Sequence, residues 1–346
     1  GLMTLILRGQ KTSLRMLEMV VNQGIINEEE PEKTVTHSGL SRRINTINPC
    51  YFKSIYESVV ERGLNEIPTK TSQVLHRFDS TMITLSSHLL KDGLRGGGGS
   101  ETNTQIKVSI GMKKQLPTSV RFCKEQKEIN ENHALIHAIN EAKVEKEDIL
   151  LFDRGIYDSK LYEEFSRREY KFITRINVGR KHEIIKERKV SNSKDIELKI
   201  LEDSMINLYA GGAKKTKTSS KSGLRLIKAI NKAGTELWFL TNMSDTPAHE
   251  IAELYKRRWD IEVFFKFIKQ NLGYKHFLSH STQGMQVYIY MIMITAIMFL
   301  MYKIRLKLEG YKIPLFRFTL ELQKSFMKSI ILYSGGDPEL VKHQLG

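Results

Sequence analysis

Cysteine is nearly absent from this chain, with only Cys50 and Cys123 in 346 residues. Two thiols cannot frame a disulfide scaffold, and so low a count suits a reducing compartment. Acid is also short. Lys and Arg number 54 against 39 Asp and Glu, leaving a formal charge of +15 at neutral pH. Such a balance favours polyanions, because basic side chains release the counterions condensed on phosphates. Ribosomal, nucleic-acid-binding and membrane-surface proteins share it. No Gly-x-Gly-x-x-Gly or Walker loop occurs, so no nucleotide cofactor is expected. No signal-peptide pattern is visible in the stretch opening at Gly1. One long apolar run, Val287 to Tyr302, carries no charge. It falls short of the roughly 20 residues needed to cross a bilayer and reads as a buried core helix, so no membrane is expected. The rest, 40% apolar and 27% charged, is ordinary for a globular chain of about two domains.

Along the chain the patterning changes several times. Residues 1 to about 70 read as helical and basic, with a break near Pro49 and Arg42 and Arg43 placed to meet phosphates. From Val74 the stretches VLHRFDSTMITLS, QIKVSIGMKK and TSVRFCKE have strand composition. Between the first two lies Gly96 to Ser100, GGGGS, read either as an engineered linker or as a natural hairpin tip. A helical stripe at Leu135, Ala138, Ile139 and Ala142 precedes the apolar strand ILLF, which ends at Asp153, and Asp158 is placed to cap the next helix. This βαβα rhythm puts Asp153 at the carboxyl end of a central strand, where open α/β sheets hold their sites. After the strand KFITRIN, four antiparallel strand candidates over 177–243 interrupt the rhythm. Between them lies a lysine-rich loop containing Lys214, Lys215 and Lys217, which suits phosphate. The histidine pairs His133/His137 and His276/His280 have a zinc-like spacing but lack partner ligands.

The stretch YKRRWDIEVFFKFIK, 255 to 269, reads as a single helix. Tyr255, Arg258, Glu262 and Lys269 fall within about 60° of one another on it at 100° per residue. Leu254, Ile261, Phe264 and Ile268 form the face to be buried. Joined to Asp79 and Asp153, Glu262 completes three carboxylates. Three such groups suffice for two Mg²⁺ ions that would activate an attacking oxygen and stabilise the leaving oxygen of a phosphodiester.

The Tyr-x2-Arg-x3-Glu-x6-Lys pattern, preceded by FDST and FDRGIYD, resembles the DDE transposases of bacterial insertion sequences, in the family numbered four with the Tyr-Arg-Glu-Lys signature. The resemblance covers about 35 to 305. It implies an α/β fold: a ribonuclease-H-like mixed sheet with flanking helices, interrupted by a β-rich insertion, beside a small helical amino-terminal region. It makes Asp79, Asp153 and Glu262 the metal-binding catalytic triad for two Mg²⁺ ions, which Mn²⁺ can replace. Tyr255, Arg258 and Lys269 would hold transposon-end phosphates, Trp238 would stack on a flipped base, and Arg175 would be a basic DNA contact. The expected domains are a DNA-end-binding region at 1–70, the catalytic core at 71–176 and 244–305, the insertion at 177–243 and a helical region at 306–346. The implied activity is cut-and-paste transposition of double-stranded DNA through a hairpin by a homodimeric synaptic complex, in a prokaryotic cytoplasm at the nucleoid. Two other readings stay open, a nuclease of the same fold that does not join strands and an inactive DNA-binding remnant. The intact DST, DRG and Tyr-Arg-Glu-Lys elements count against the remnant.

Overall fold

The computed structural model describes residues 6–7, 13–22, 34–68, 74–84, 94–95, 103–123, 126–154, 159–190, 198–209, 223–274, 279 and 281–340. Lys214, Lys215 and Lys217, Asp158, Gly96 to Ser100, and His276 and His280 lie outside them. The chain divides into two compact units, one made of Gly1–Ile67 with Lys266–Gly346 and the other of Pro68–Phe265.

The first unit is helical in its described residues. Helices α1 (Leu14–Asn22), α2 (His37–Thr46) and α3 (Pro49–Glu66) open the chain. Thr36 caps α2 by accepting from the Gly39 amide, and Pro49 takes the first turn of α3, where no amide hydrogen is needed. Arg42 and Arg43 are exposed on α2.

The second unit is built on one sheet, with strands β1 (Leu75–Thr84), β2 (Leu94–Arg95), β3 (Asn103–Lys113), β4 (Leu116–Phe122), β5 (Ile149–Phe152), β6 (Lys171–Ile176), β7 (His182–Glu187), β8 (Leu198–Leu208), β9 (Leu224–Asn231) and β10 (Glu236–Thr241). Helices α4 (Glu131–Glu141) and α5 (Ser159–Arg167) fall between strands, and α6 (Ala248–Lys256) and α7 (Trp259–Asn271) follow β10. The chain closes with α8 (Thr282–Arg305) and α9 (Lys312–Tyr333), both in the first unit.

Within the first unit, α8 is the helix expected around Val287 to Tyr302. Among the described residues it alone is long and apolar enough to cross a membrane, and 67% of its most apolar window is buried. Its Tyr290 ring meets Tyr56 of α3 at 5.7 Å, and Phe299 and Tyr302 pack on Phe318 of α9.

In the sheet, β1 pairs antiparallel with β3 and parallel with β5, and β5 pairs parallel with β6. With β4 added outside β3, this is the strand order and direction of a ribonuclease-H-like core. The strands of the insertion do not form a separate body. β10 joins β6 antiparallel, and β9, β8 and β7 continue the same sheet. Alternation along β5 then sorts its fully apolar ILLF between two layers. Leu150 and Phe152 join Phe78, Phe172 and Leu240 against α4 and α5. Ile149 and Leu151 join Leu75, Ile173 and Phe239 against Ile251, Ala252 and Tyr255 of α6.

The insertion is tied to the segment entering α6 by Arg225, which is 2% exposed. Its fork meets Asp203 through Nε at 2.8 Å and Nη2 at 2.7 Å, and Nη1 donates to the Met243 and Thr246 carbonyls at 3.0 and 2.5 Å. Bidentate geometry plus carbonyl acceptors satisfies a charge that would otherwise be costly to bury. Asp203→Asn should therefore lower folding stability by about 3 kcal/mol, read from denaturant melts. A loss below about 0.5 kcal/mol would show that the carbonyls suffice for the guanidinium.

Candidate active site

The site begins with strand register. Leu75, His76 and Arg77 lie opposite Ile149, Leu150 and Leu151, so extending the pairing by two residues sets Asp79 beside Asp153. On the other side Phe152 lies opposite Thr174, and one further residue brings Arg175 alongside. Alternation does the rest. Leu75, Ile149, Leu151 and Ile173 face α6, so Arg77, Asp79, Asp153 and Arg175 fall at positions of that same face. Asp79 is half-buried and accepts from the Ser80 amide at 2.7 Å. Asp153, just past the end of β5, is exposed.

The expected single helix from 255 to 269 is two helices. α6 ends at Lys256 and α7 starts at Trp259, joined by a tight turn in which the Arg257, Arg258, Asp260 and Ile261 amides bond three residues back. Neither proline nor glycine causes this break. The Arg257 carbonyl, an acceptor for Ile261 in an unbroken helix, accepts instead from the Asp260 amide and from Arg77 Nε at 2.7 Å. The face expected to be buried is so at Ile261, Phe264 and Ile268, while Leu254 is only partly covered.

Tyr255, in the last turn of α6, reaches Asp153. Its hydroxyl lies 3.5 Å from Asp153 Oδ1, and its ring packs on Phe239. Burial pushes the phenol pKa well up, and Asp153 adds to the rise while Arg258 and Arg175 oppose it, so the group stays a neutral donor. Arg258, in the turn, sits 5.7 Å from the centre of the Tyr255 ring and pairs with Glu262 one turn on. Burial opposes its charge, but Tyr255, Glu262 and Asp153 outweigh it and raise the pKa. Asp153, Tyr255, Arg258 and Glu262 thus form one electrostatic chain, with Arg175 within reach of it. Buried Nε atoms of Arg175 and Arg258 have no hydrogen-bond partner among the described residues.

Divalent metal needs hard oxygen donors, and in kind the three carboxylates fit. Among the described residues, however, no three acidic, histidine or cysteine side chains gather tightly enough to hold an ion, and Glu262 is engaged by Arg258. Lys269 lies in the last turn of α7, in the other unit.

Trp238 is not brought to this face. It is 7% exposed and belongs to the layer on the opposite side of the sheet, because strand alternation sends Phe239, not Trp238, onto Tyr255. Its indole donates to Glu236 at 2.5 Å, with Lys228 over the ring at 4.7 Å. The exposed indole is Trp259, at 60%, immediately after Arg258. Helical periodicity could not single it out, because its position depends on the break. The one signal available was a tryptophan following three cations in Lys256-Arg257-Arg258.

A family model described as the transposase DDE domain matches residues 76–299, well over half of the chain. This chain belongs to the DDE transposase domain family. Two provisionally named transposases are similar to it. One, y4zB of Sinorhizobium fredii, is 25% identical over 169 residues, covering 49% of this chain and 46% of that protein. The other, from Geobacillus stearothermophilus and named for insertion sequence element IS5377, is 21% identical over 197 residues, covering 56% of this chain and 48% of that protein. The chain thus spans about half the length of the curated relatives it matches. Among solved structures, the piggyBac transposase synaptic complex with hairpin DNA aligns over 95% of this chain and 70% of that one, at 11% identity and a TM-score of 0.47.

With two tryptophans in the chain, their surroundings can be read separately. Trp238→Phe, leaving Trp259, should give red-shifted fluorescence quenched readily by acrylamide. Trp259→Phe, leaving Trp238, should give blue-shifted emission with a quenching constant several-fold smaller. Equal constants would contradict the burial difference.

Proposed function

We propose that the chain is an insertion-sequence transposase of the Tyr-Arg-Glu-Lys group, which cuts double-stranded DNA at its element's ends and joins the freed 3′-OH to DNA. The observation that supports this reading is the register of β1 and β5, whose extension would set Asp79 beside Asp153 on the sheet face packed against α6, where Tyr255 donates towards Asp153 and Arg258 pairs with Glu262. Asp79, Asp153 and Glu262 would hold two Mg²⁺ ions, or Mn²⁺ in their place. When bound, such ions polarise the scissile phosphate and favour the deprotonated form of the attacking water or 3′-OH.

The chain's own residues do the remainder. Tyr255 remains protonated and donates towards Asp153, orienting that carboxylate. Arg258 is a buried, charged fork suited to a phosphate. When a DNA phosphate takes that fork, Glu262 is released towards the two aspartates, so DNA engagement and completion of the ligand set are linked. Arg175 and Lys269 would add phosphate contacts, and the loop with Lys214, Lys215 and Lys217 would grip flanking DNA. The helical unit with Arg42 and Arg43 would bind the ends, in a homodimeric synaptic complex at the nucleoid. Hairpin formation needs an extruded base to be held. Trp259 is the indole we propose for that stacking, since Trp238 would first have to leave its place beneath Lys228.

Asp79→Asn, Asp153→Asn and Glu262→Gln should each depress Mg²⁺-dependent cleavage of a duplex carrying the inverted repeats that flank the gene. The drop should be at least a thousandfold, roughly 4 kcal/mol of transition-state stabilisation. Binding of the duplex, followed by gel shift in Ca²⁺, should be retained. Near-normal cleavage by any of the three removes that residue from the triad. A wild-type protein that nicks but yields neither hairpin nor joined product would instead be a nuclease of this fold.

A further inference from the structure

Arg77 stands two residues before Asp79 on β1, on the same face, and is 2% exposed. Its Nε donates to the Arg257 carbonyl at 2.7 Å and its Nη2 pairs with Asp260 Oδ2 at 3.0 Å. Asp260 is also held by Arg257 Nε at 3.2 Å. These partners lie in the turn that separates α6 from α7 and in the first turn of α7. One guanidinium thus fastens the strand carrying Asp79 to the turn between Tyr255 and Glu262.

Burying an arginine is an expensive way to hold two elements together. Burial lowers its pKa despite Asp260 beside it, and an apolar side chain of similar size would often serve stability as well or better. What an apolar side chain cannot do is capture the Arg257 carbonyl. That capture withdraws the acceptor Ile261 would use in a continuous helix, and so sets where α7 begins. The start of α7 fixes the direction in which Glu262, in its first turn, projects. Asp79 and Glu262 come from distant parts of the sequence, and this hydrogen-bonded link joins their two elements.

Resting on the reading of Asp79, Asp153 and Glu262 as metal ligands, we propose that Arg77 is a positioning residue. By bracing the turn against β1 it places Glu262 for metal binding, and it touches neither metal nor DNA. Residues that orient ligands in this way commonly change metal affinity by about ten- to a hundredfold when removed.

The test uses the full chain saturated with a transposon-end duplex, so that Arg258 is engaged and Glu262 free, with Mn²⁺ titrated over a duplex-only blank and followed by electron paramagnetic resonance, and folding followed by thermal melting. Arg77→Met keeps the volume and removes both donors. It should fold with a melting temperature close to wild type and bind Mn²⁺ at least about tenfold more weakly. Placed in a Glu262→Gln background, Arg77→Met should cause no further loss, because the ligand it positions is already gone. Unchanged affinity in the single variant, or an equal loss in both backgrounds, overturns the brace. If Arg77→Met does not fold, Arg77→Lys decides, because it keeps a cation beside Asp260 but loses the fork that holds Asp260 and the Arg257 carbonyl together. A weaker affinity that vanishes in the Glu262→Gln background upholds the brace, and an unchanged affinity overturns it. If Glu262→Gln itself leaves wild-type Mn²⁺ affinity intact, Glu262 is no ligand. The metal assignment then fails, and the brace with it.

Discussion

Parallel pairing between β1 and β5 is the constraint from which the rest of the site follows. Once Arg77 lies opposite Leu151, the pleat sends Asp79 and Asp153 to one face, and a slip of one residue would send either of them into the apolar layer of Phe78, Leu150 and Phe152. Burial of that layer enforces the register. The geometry of the candidate site therefore depends on packing on the other side of the sheet. The phenylalanines and leucines facing α4 and α5 hold the carboxylates in step on the other side.

The same logic explains the insertion. Its strands extend the sheet from β6 through β10, and Arg225 gathers the carbonyls of the segment that leads into α6. A sheet extension held this firmly delivers Tyr255 to Asp153 from the far end of a long excursion in sequence. Arg77 performs the matching task at the next turn.

Much of this was legible in the sequence. The strand ILLF ending at Asp153, the strand around Asp79 and the apolar side of 259–268 all carry strong local patterns, and local patterning is what periodicity detects. The helix break at Arg257 was not legible. At the break the Arg257 carbonyl is held by a side chain 180 residues away in sequence, and no window of neighbouring residues contains that information. Trp238 shows the opposite failure. A motif match located the residue, but only β10's pairing with β6, Trp238 opposite Ile176, reveals which face its indole takes. Exposure of Trp259 follows from the break and was hidden with it.

Three carboxylates holding metal as in the proposed function would repel one another, and a fold must tolerate that repulsion whenever cations are absent. Here the compensation comes from the chain itself. Arg258 takes Glu262, Tyr255 donates towards Asp153, and the Ser80 amide donates to Asp79. Arg258 thus meets Glu262 as a charged donor, whereas Tyr255 meets Asp153 as a neutral one. Replacing the charged donor with metal needs somewhere for Arg258 to go, and a phosphate is the partner its planar fork matches best. In the proposed function the resting charge balance and the DNA contact would lie in the same guanidinium, and completion of the ligand set would be tied to the arrival of DNA through electrostatics.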